Sequence, residues 1–292
     1  MPVLQRVSVS VKNILFATDF SSVSEKAAAY AKALALNFRS SVEIAHVLDP
    51  SVVTSYKAIL GKPFKERQRI GNQNLSKVQQ DFAGSGIEAR TSLAEGRRPP
   101  AALLNLAKQH DTDLIIAGTH SKWGLERLVL GSTAEDLIRN AACPVLTVGP
   151  HAKQPQDGPL VFRTIIYATD FSVEAAKAAV FALSFAQDSG AHLYFCYVSE
   201  SEPLPEETAT LDAPLKAALN KMIPESVYEW CSPETIVRHG DAAEAILELA
   251  ERVNADLIVL GARNASFWLT HVEHGLTPDL LAEATCPVMT VC

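Results

Sequence analysis

Asn13-Ile14-Leu15-Phe16-Ala17-Thr18-Asp19-Phe20-Ser21 returns 151 residues later as Thr164-Ile165-Ile166-Tyr167-Ala168-Thr169-Asp170-Phe171-Ser172. Two further stretches recur in the same order. Asp113-Leu114-Ile115-Ile116-Ala117-Gly118 returns as Asp256-Leu257-Ile258-Val259-Leu260-Gly261, and Cys143-Pro144-Val145-Leu146-Thr147-Val148 as Cys286-Pro287-Val288-Met289-Thr290-Val291, both 143 residues on. Strand composition can produce one such match; three in order mark an internal duplication. Because the offset changes after the first match, the length difference falls in the middle of each copy. Residues 150–160, with Pro150, Pro155, Gly158 and Pro159, read as a linker between a first domain over 1–150 and a second over 160–292.

Each copy alternates two kinds of pattern. Ile14–Thr18 is a short, unbroken apolar run, as a strand covered on both faces requires. Ser22-x-x-Glu25 then fits a capping box and opens an Ala-rich helix to about Leu36. Strands are predicted at Val42–Leu48, Ile87–Leu93, Leu114–Ala117 and Val145–Val148, and helices at about Asn72–Ala83, Pro100–Gln109 and Thr133–Asn140. Residues 51–70 read as an irregular or partly helical excursion. Alternating β and α elements imply a mostly parallel sheet with helices on both faces. The predicted fold class is α/β: two tandem doubly wound domains, each with a five-stranded, mostly parallel sheet.

Composition narrows the field. Of 292 residues 48% are apolar and 20% charged, so the chain can bury a full core without disulfides or structural metals. No apolar run approaches the roughly 20 residues of a membrane span, and the first residues do not read as a secretory signal. The five cysteines include no CxxC pair, which disfavours a disulfide framework and a cysteine zinc site and points to a cytoplasmic protein with reduced thiols. Residues 1–150 carry 18 Lys and Arg against 13 Asp and Glu, whereas residues 151–292 carry 8 against 20. A net charge of −7 argues against a general nucleic-acid binder; the basic first half suits a small anion, and equally an attraction between the two halves or a neutral drift of surface charge.

In an open α/β sheet the ligand sits beyond the carboxyl ends of the strands. In the first copy those ends carry Asp19, Val47, and Gly118-Thr119-His120-Ser121. Downstream, Gly131-Ser132 opens the next helix, and Ser132-x-x-Glu135 fits a second capping box. A glycine lets main-chain N–H groups approach a phosphate, and a helix start adds positive potential. Lys122 and Arg127 are candidate cationic partners. An ordinary strand end and an ordinary helix cap explain the same residues without a ligand.

The pattern resembles the universal stress protein family. The run Gly118-x-x-Ser121, nine residues, then Gly131-Ser132 is similar to that family's G-x-x-G, nine residues, G-[S/T], with serine at one glycine position. Ala17-Thr18-Asp19-Phe20-Ser21, Asp113-Leu114-Ile115-Ile116, Gly124-Leu125 and Cys143-Pro144-Val145 match as well, and both copies are covered. The resemblance implies a Rossmann-like fold of the adenine nucleotide alpha hydrolase type, repeated in tandem. It also implies ATP binding, with Mg²⁺ as a possible companion. Ala17, Thr18 and Asp19 would line the ribose or base edge, Val47 the adenine, and Gly118, His120, Ser121, Gly131, Ser132 and Thr133 the phosphates. The second copy departs further: Asn264 stands in the place of Ser121, His274-Gly275 in that of Gly131-Ser132, and Glu273 and Asp279 add negative charge. Its helix is predicted to start at a Thr277 cap, and ATP is therefore expected in the first domain only.

Other constellations carry less. His271 and His274, with His239, lack a convincing third metal ligand, and no HExxH, P-loop or G-x-S-x-G elbow occurs. The loop typical of the related ATP pyrophosphatases is missing after the first strand. Cys143 and Cys286 read as packing residues, Trp123 and Trp268 as loop residues, and Lys57, Lys62, Lys65, Arg67 and Arg69 as a solvated basic loop. No catalytic residue is assigned. The expected function is an ATP-binding stress-response regulatory or protective protein with little or slow hydrolysis; a nucleotide-independent scaffold and a slow Mg²⁺-dependent ATPase are the alternatives. The two halves are expected to pack as a pseudo-dimer along Val145–Val148 and Val288–Val291, with a homodimer of two chains as a further expectation.

Overall fold

A computed structural model of the chain describes residues 9–50, 64–119, 132–156, 158–201, 203–261 and 276–292. The first copy contains β1 (Asn13–Ala17), α1 (Ser22–Phe38), β2 (Ser41–Leu48), α2 (Phe64–Gly84), β3 (Ala89–Glu95), α3 (Pro99–Gln109), β4 (Leu114–Gly118), α4 (Ser132–Asn140) and β5 (Val145–Val148). The second contains β6 (Thr164–Ala168), α5 (Val173–Ser189), β7 (His192–Ser199), α6 (Pro205–Met222), β8 (Ser232–His239), α7 (Ala242–Val253), β9 (Leu257–Gly261), α8 (Leu276–Glu283) and β10 (Val288–Val291).

The strands form one ten-stranded sheet in the order β3-β2-β1-β4-β5-β10-β9-β6-β7-β8. Within each copy all neighbours are parallel, and the copies meet where β5 and β10 pair antiparallel, Val145 opposite Thr290 and Thr147 opposite Val288. An unpaired strand edge in an otherwise buried sheet leaves main-chain groups without partners, and this pairing removes two such edges at once. Two hydroxyls reinforce it symmetrically: Thr147 Oγ1 donates to the Val288 carbonyl at 3.0 Å and Thr290 Oγ1 to the Val145 carbonyl at 3.3 Å. The expected meeting of the last strands is therefore present, and it fuses the two five-stranded halves into a single sheet.

Alternation along the central strands feeds two cores, one on each face. Ile14, Phe16, Ile165 and Tyr167 point into one, with Leu34, Phe82 and Phe195; Leu15, Ala17, Ile166 and Ala168 point into the other, with Leu137, Ile138 and Leu280. Both faces being buried is why these strands read as continuous apolar runs. Each inner strand is also anchored at its start in the same way. Asp113 Oδ2 accepts from the Lys12 and Asn13 amides at 2.7 and 2.9 Å, and Asp256 Oδ2 from those of Arg163 and Thr164 at 2.8 and 3.0 Å.

Several local expectations are corrected. The cap of α1 is Ser21, not Ser22: its Oγ accepts from the Ser24 amide at 3.2 Å. Ser132 is likewise the first helical residue of α4, and Glu135 turns to Arg139 one helical turn on. The helix α8 starts at Leu276, so Thr277 lies inside its first turn. Lys65, Arg67 and Arg69 lie on α2, not in a loop, where Arg69 Nη2 pairs with Glu66 at 2.7 Å and Arg67 Nη1 donates to the Asp49 carbonyl at 3.2 Å. Lys57, Lys62, Lys122, Trp123, Arg127, Trp268, His271 and His274 lie outside the described residues.

Candidate functional site

The strand order reverses between β1 and β4, and there the connections diverge to opposite faces and leave a crevice beyond the carboxyl ends. Thr18 and Asp19 follow β1, Val47 lies near the end of β2, and Gly118 ends β4. Because α4 follows β4 in a parallel crossover, its first residues, Ser132 and Thr133, return to the same edge of the sheet. The structure thus assembles Ala17, Thr18, Asp19, Val47, Gly118, Ser132 and Thr133 at one end. His120, Ser121 and Gly131 lie outside the described residues.

The β1–α1 turn is held by its own side chains. Thr18 Oγ1 accepts from the Phe20 amide at 3.0 Å, and Phe20 takes the left-handed conformation, with φ of 63°. Asp19 is exposed, but its Oδ1 accepts from the Ser21 amide at 3.1 Å, from Ser21 Oγ at 2.6 Å and from Ser24 Oγ. That places its carboxylate over the start of α1, where the helix dipole favours a negative charge. The second copy repeats the turn: Thr169 Oγ1 accepts from the Phe171 amide at 3.0 Å, Phe171 has φ of 60°, and Asp170 Oδ1 accepts from the Ser172 amide at 2.9 Å. Asp170 is therefore explained by the turn it builds, with or without a ligand.

Gly118 also has a structural reason to lack a side chain. A Cβ there would lie 3.0–3.1 Å from the Val23 and Ser24 main chain at the start of α1. At Gly261 the same position would be 2.5 Å from the Glu174 carbonyl carbon and closer still to the Ala175 nitrogen. Both glycines let a helix start lie directly on the inner strand. A role for Gly118 at a phosphate would be additional to this one.

One feature separates the copies. Ala17 pairs with Ala45 on one side and Ala117 on the other, so a row of three alanines crosses the last rung of β2, β1 and β4. In the second copy the row is Cys196, Ala168 and Leu260. Val47 packs against the core on that same face. The first copy therefore carries the smaller side chains beneath the edge where Thr18, Asp19 and Gly118 emerge.

The sequence reading missed His46. Its Nδ1 lies 2.8 Å from the Thr18 carbonyl, which can only accept, so Nδ1 carries the proton. Phe20 packs against its ring, tilted, with centroids 4.5 Å apart, and Tyr197 takes the same place beside Phe171 at 5.0 Å. The signal was present in the repeat, since an aromatic ring recurs at that position. Burial pushes the His46 imidazole below its usual range, against the opposing pull of the Thr18 carbonyl and the Asp19 charge. An unfolded imidazole takes a proton near pH 6.5, before the folded one does. The stability this neutral ring contributes is thus present above that pH and is lost as pH falls through the lower folded value. We expect urea unfolding at pH 5 to show a stability loss relative to pH 7.5 that is smaller in His46→Tyr; equal losses would contradict it.

Thr119 was also missed. Its side chain is 2% exposed, and its Oγ1 is shared between the Val148 and Leu281 carbonyls at 3.4 Å each. The first copy's site edge is thereby tied to α8 of the second. His239 ends β8, with Nε2 2.8 Å from Asp212 Oδ1 and Nδ1 3.0 Å from the Ser201 carbonyl. It joins α6 to the outer strand, as the Gln68–Glu95 bond of 2.6 Å joins α2 to β3. Among the described residues no group of three or more His, Cys, Asp or Glu side chains is arranged to hold a metal, and no helix is long and apolar enough to cross a membrane.

The sequence model described as Universal stress protein family matches residues 10–149 and again 162–291. The chain belongs to the universal stress protein family. It is of the tandem kind, with the family's unit present twice. A universal stress protein of Methanocaldococcus jannaschii is 36% identical over 148 residues, 49% of this chain and 85% of that protein. One from Thermus aquaticus is 34% identical over 141 residues, 47% of this chain and 98% of that protein. Each of these relatives thus corresponds to about half of the tandem chain. A universal stress protein of Archaeoglobus fulgidus of known crystal structure superposes with a TM-score of 0.73, covering 98% of this chain and 97% of its own. At 19% identity that likeness speaks for the universal stress protein fold, here in its doubled form.

Proposed function

We propose that the first domain, residues 1–150, binds ATP at the carboxyl edge of β1, β2 and β4, while the second, residues 160–292, serves as its structural partner in an intramolecular pseudo-dimer. The observation that carries this reading is the meeting of Thr18, Asp19, Val47, Gly118 and the start of α4 at the point where strand order reverses. The alanine row supports the choice of the first copy, because it leaves more room at that edge than Cys196 and Leu260 do. Adenine would rest against Val47, and the ribose beside Thr18 and Asp19. The phosphates would face the first N–H groups of α4, together with Gly118, His120, Ser121, Gly131, Ser132 and Thr133. Any Mg²⁺ would arrive with the phosphates.

The chain thus works as a cytoplasmic stress-response protein whose conformation or assembly responds to the nucleotide. Hydrolysis, where it occurs, is slow: the exposed Asp19 carboxylate at this edge is engaged by Ser21 and Ser24. Val47→Glu tests the adenine contact. Fully burying a valine side chain is worth about 1.5–3 kcal/mol; Val47 is half-buried, so the lower end applies and ATP and adenosine should both bind roughly tenfold more weakly by calorimetry. Unchanged affinity for both would place the base elsewhere.

A further inference from the structure

The antiparallel joint carries a feature that the nucleotide reading does not use. In its register Thr147 faces Val288, Leu146 faces Met289 and Val145 faces Thr290. Cys143 lies two residues before β5 and Cys292 directly follows β10, so an extension of that register by two residues beyond its last pair brings them together, and the Cys143 thiol feels the charge of Cys292. Directly opposed residues of an antiparallel pair have Cα atoms about 4.5–5.5 Å apart, inside the range of about 4.4–6.8 Å that a disulfide spans. Both thiols are free and half-buried, and both side chains pack against the same core on one face of the sheet. We propose that Cys143 and Cys292 form a disulfide under a peroxide-class oxidant and so staple the two domains together across the β5–β10 joint.

The surroundings favour this pair over the other cysteines. Cys292 is held at both its carbonyl and its sulfur: Lys177 Nζ donates to its carbonyl at 3.1 Å, and its Sγ donates to the Ile138 carbonyl at 3.0 Å. Rotation of that thiol away from Ile138 releases it toward the facing strand. At the other end of the joint the same register sets Cys286 opposite Gly149, which has no thiol. Cys196, Cys231 and Cys286 are buried.

The chemistry balances with hydrogen peroxide. One thiolate attacks a peroxide oxygen; an S–O bond forms, the O–O bond breaks and hydroxide leaves. The second sulfur then attacks the sulfenic sulfur; the S–S bond forms, the S–O bond breaks and water leaves. Two thiols lose two electrons and two protons, and the peroxide becomes two waters. Burial pushes the Cys143 thiol up to about 11, and the Asp113 charge adds to it. Burial raises Cys292 too, with Lys177 pulling it down and Glu174 pushing it up. Few thiolates therefore exist at neutral pH, so the staple should form slowly, and faster as pH rises.

The test treats the full chain with hydrogen peroxide and blocks the remaining thiols in denaturant. The chain is then digested without reduction and the peptides are mapped by mass spectrometry. The expected result is a linked peptide pair joining Cys143 to Cys292, two of the five thiols protected, and a chain that still runs as one on a non-reducing gel. Because the closed loop, residues 143–292, takes in the linker and the whole second domain, the oxidised protein should also melt at a higher temperature. Cys143→Ser and Cys292→Ser should each remove both the linked pair and the rise, and Cys286→Ser should keep both. Five unprotected thiols after oxidation, over-oxidised single cysteines or chain-to-chain links would overturn the proposal.

Discussion

Gly131→Asp weakens ATP binding by roughly a hundredfold or more, while adenosine is held nearly as well as before. The helix α4 begins at Ser132. The opening N–H groups of a helix have no partners within it, and together with the helix dipole they favour an anion. Residue 131 immediately precedes that helix. An aspartate there adds both a side chain and a negative charge beside the proposed phosphates. Two like charges about 4 Å apart near a protein surface repel by about 4 kcal/mol before salt screening. Even two-thirds of that is about a hundredfold in affinity. Aspartate is a favourable residue at the start of a helix, so α4 should remain formed and the loss should reflect the ligand alone. Paired calorimetric titrations with ATP and adenosine separate the outcomes. Equal affinity of variant and parent for ATP would remove α4 from the site.

Gly261→Ala destabilises the protein far more than Gly118→Ala. The added carbon at Gly261 would lie 2.5 Å from the Glu174 carbonyl carbon and 2.7 Å from the Ala175 Cα, both main-chain atoms. No side-chain rotation relieves that clash, so α5 as a whole must shift from β9. Overpacking of this kind costs about 1–3 kcal/mol, and a rigid main-chain neighbour puts Gly261 at about 3. At Gly118 the nearest main-chain atom would be 3.0 Å away, which α1 can relieve by a small movement at a cost of about 1 kcal/mol. Urea denaturation of both variants checks the ranking; equal or reversed losses would show that the glycines are not kept for helix–strand contact.

The positions of the inner strands were legible because burial on both faces leaves a continuous apolar run, and because each run occurs twice. The long α2 was legible only in its second half, where a helix at about Asn72–Ala83 is predicted. It spans Phe64–Gly84 but buries only Gly71, Leu75 and Phe82, so its first turns carry too few apolar residues to mark a helix. The cap of α1 was misplaced by one residue because Ser21, Ser22 and Ser24 all suit a helix start. The left-handed turn at Phe20 selects Ser21, and no local sequence pattern reports it.

At the candidate site, Asp19 and Gly118 were found for ligand reasons, yet both have structural work in each copy of the fold. The residues that separate the copies among the described ones are plainer. Ala45 and Ala117 face Cys196 and Leu260 across the duplication, and such small-to-large changes within apolar strands carry no motif. His46 escaped because a lone half-buried histidine has no spacing of its own, and its one signal, the ring recurring at Tyr197, shows only when the two copies are aligned. Only the pairing of β1 with β2 brings it to the Thr18 carbonyl.

The most direct measurement is the stoichiometry of adenine nucleotide per chain, by calorimetric titration of the full-length protein with ATP and by mass spectrometry of nucleotide released from it on denaturation. One nucleotide per chain, lost in Gly131→Asp, is the expected result. Two per chain, or one that persists in Gly131→Asp, would contradict the assignment of binding to the first domain alone.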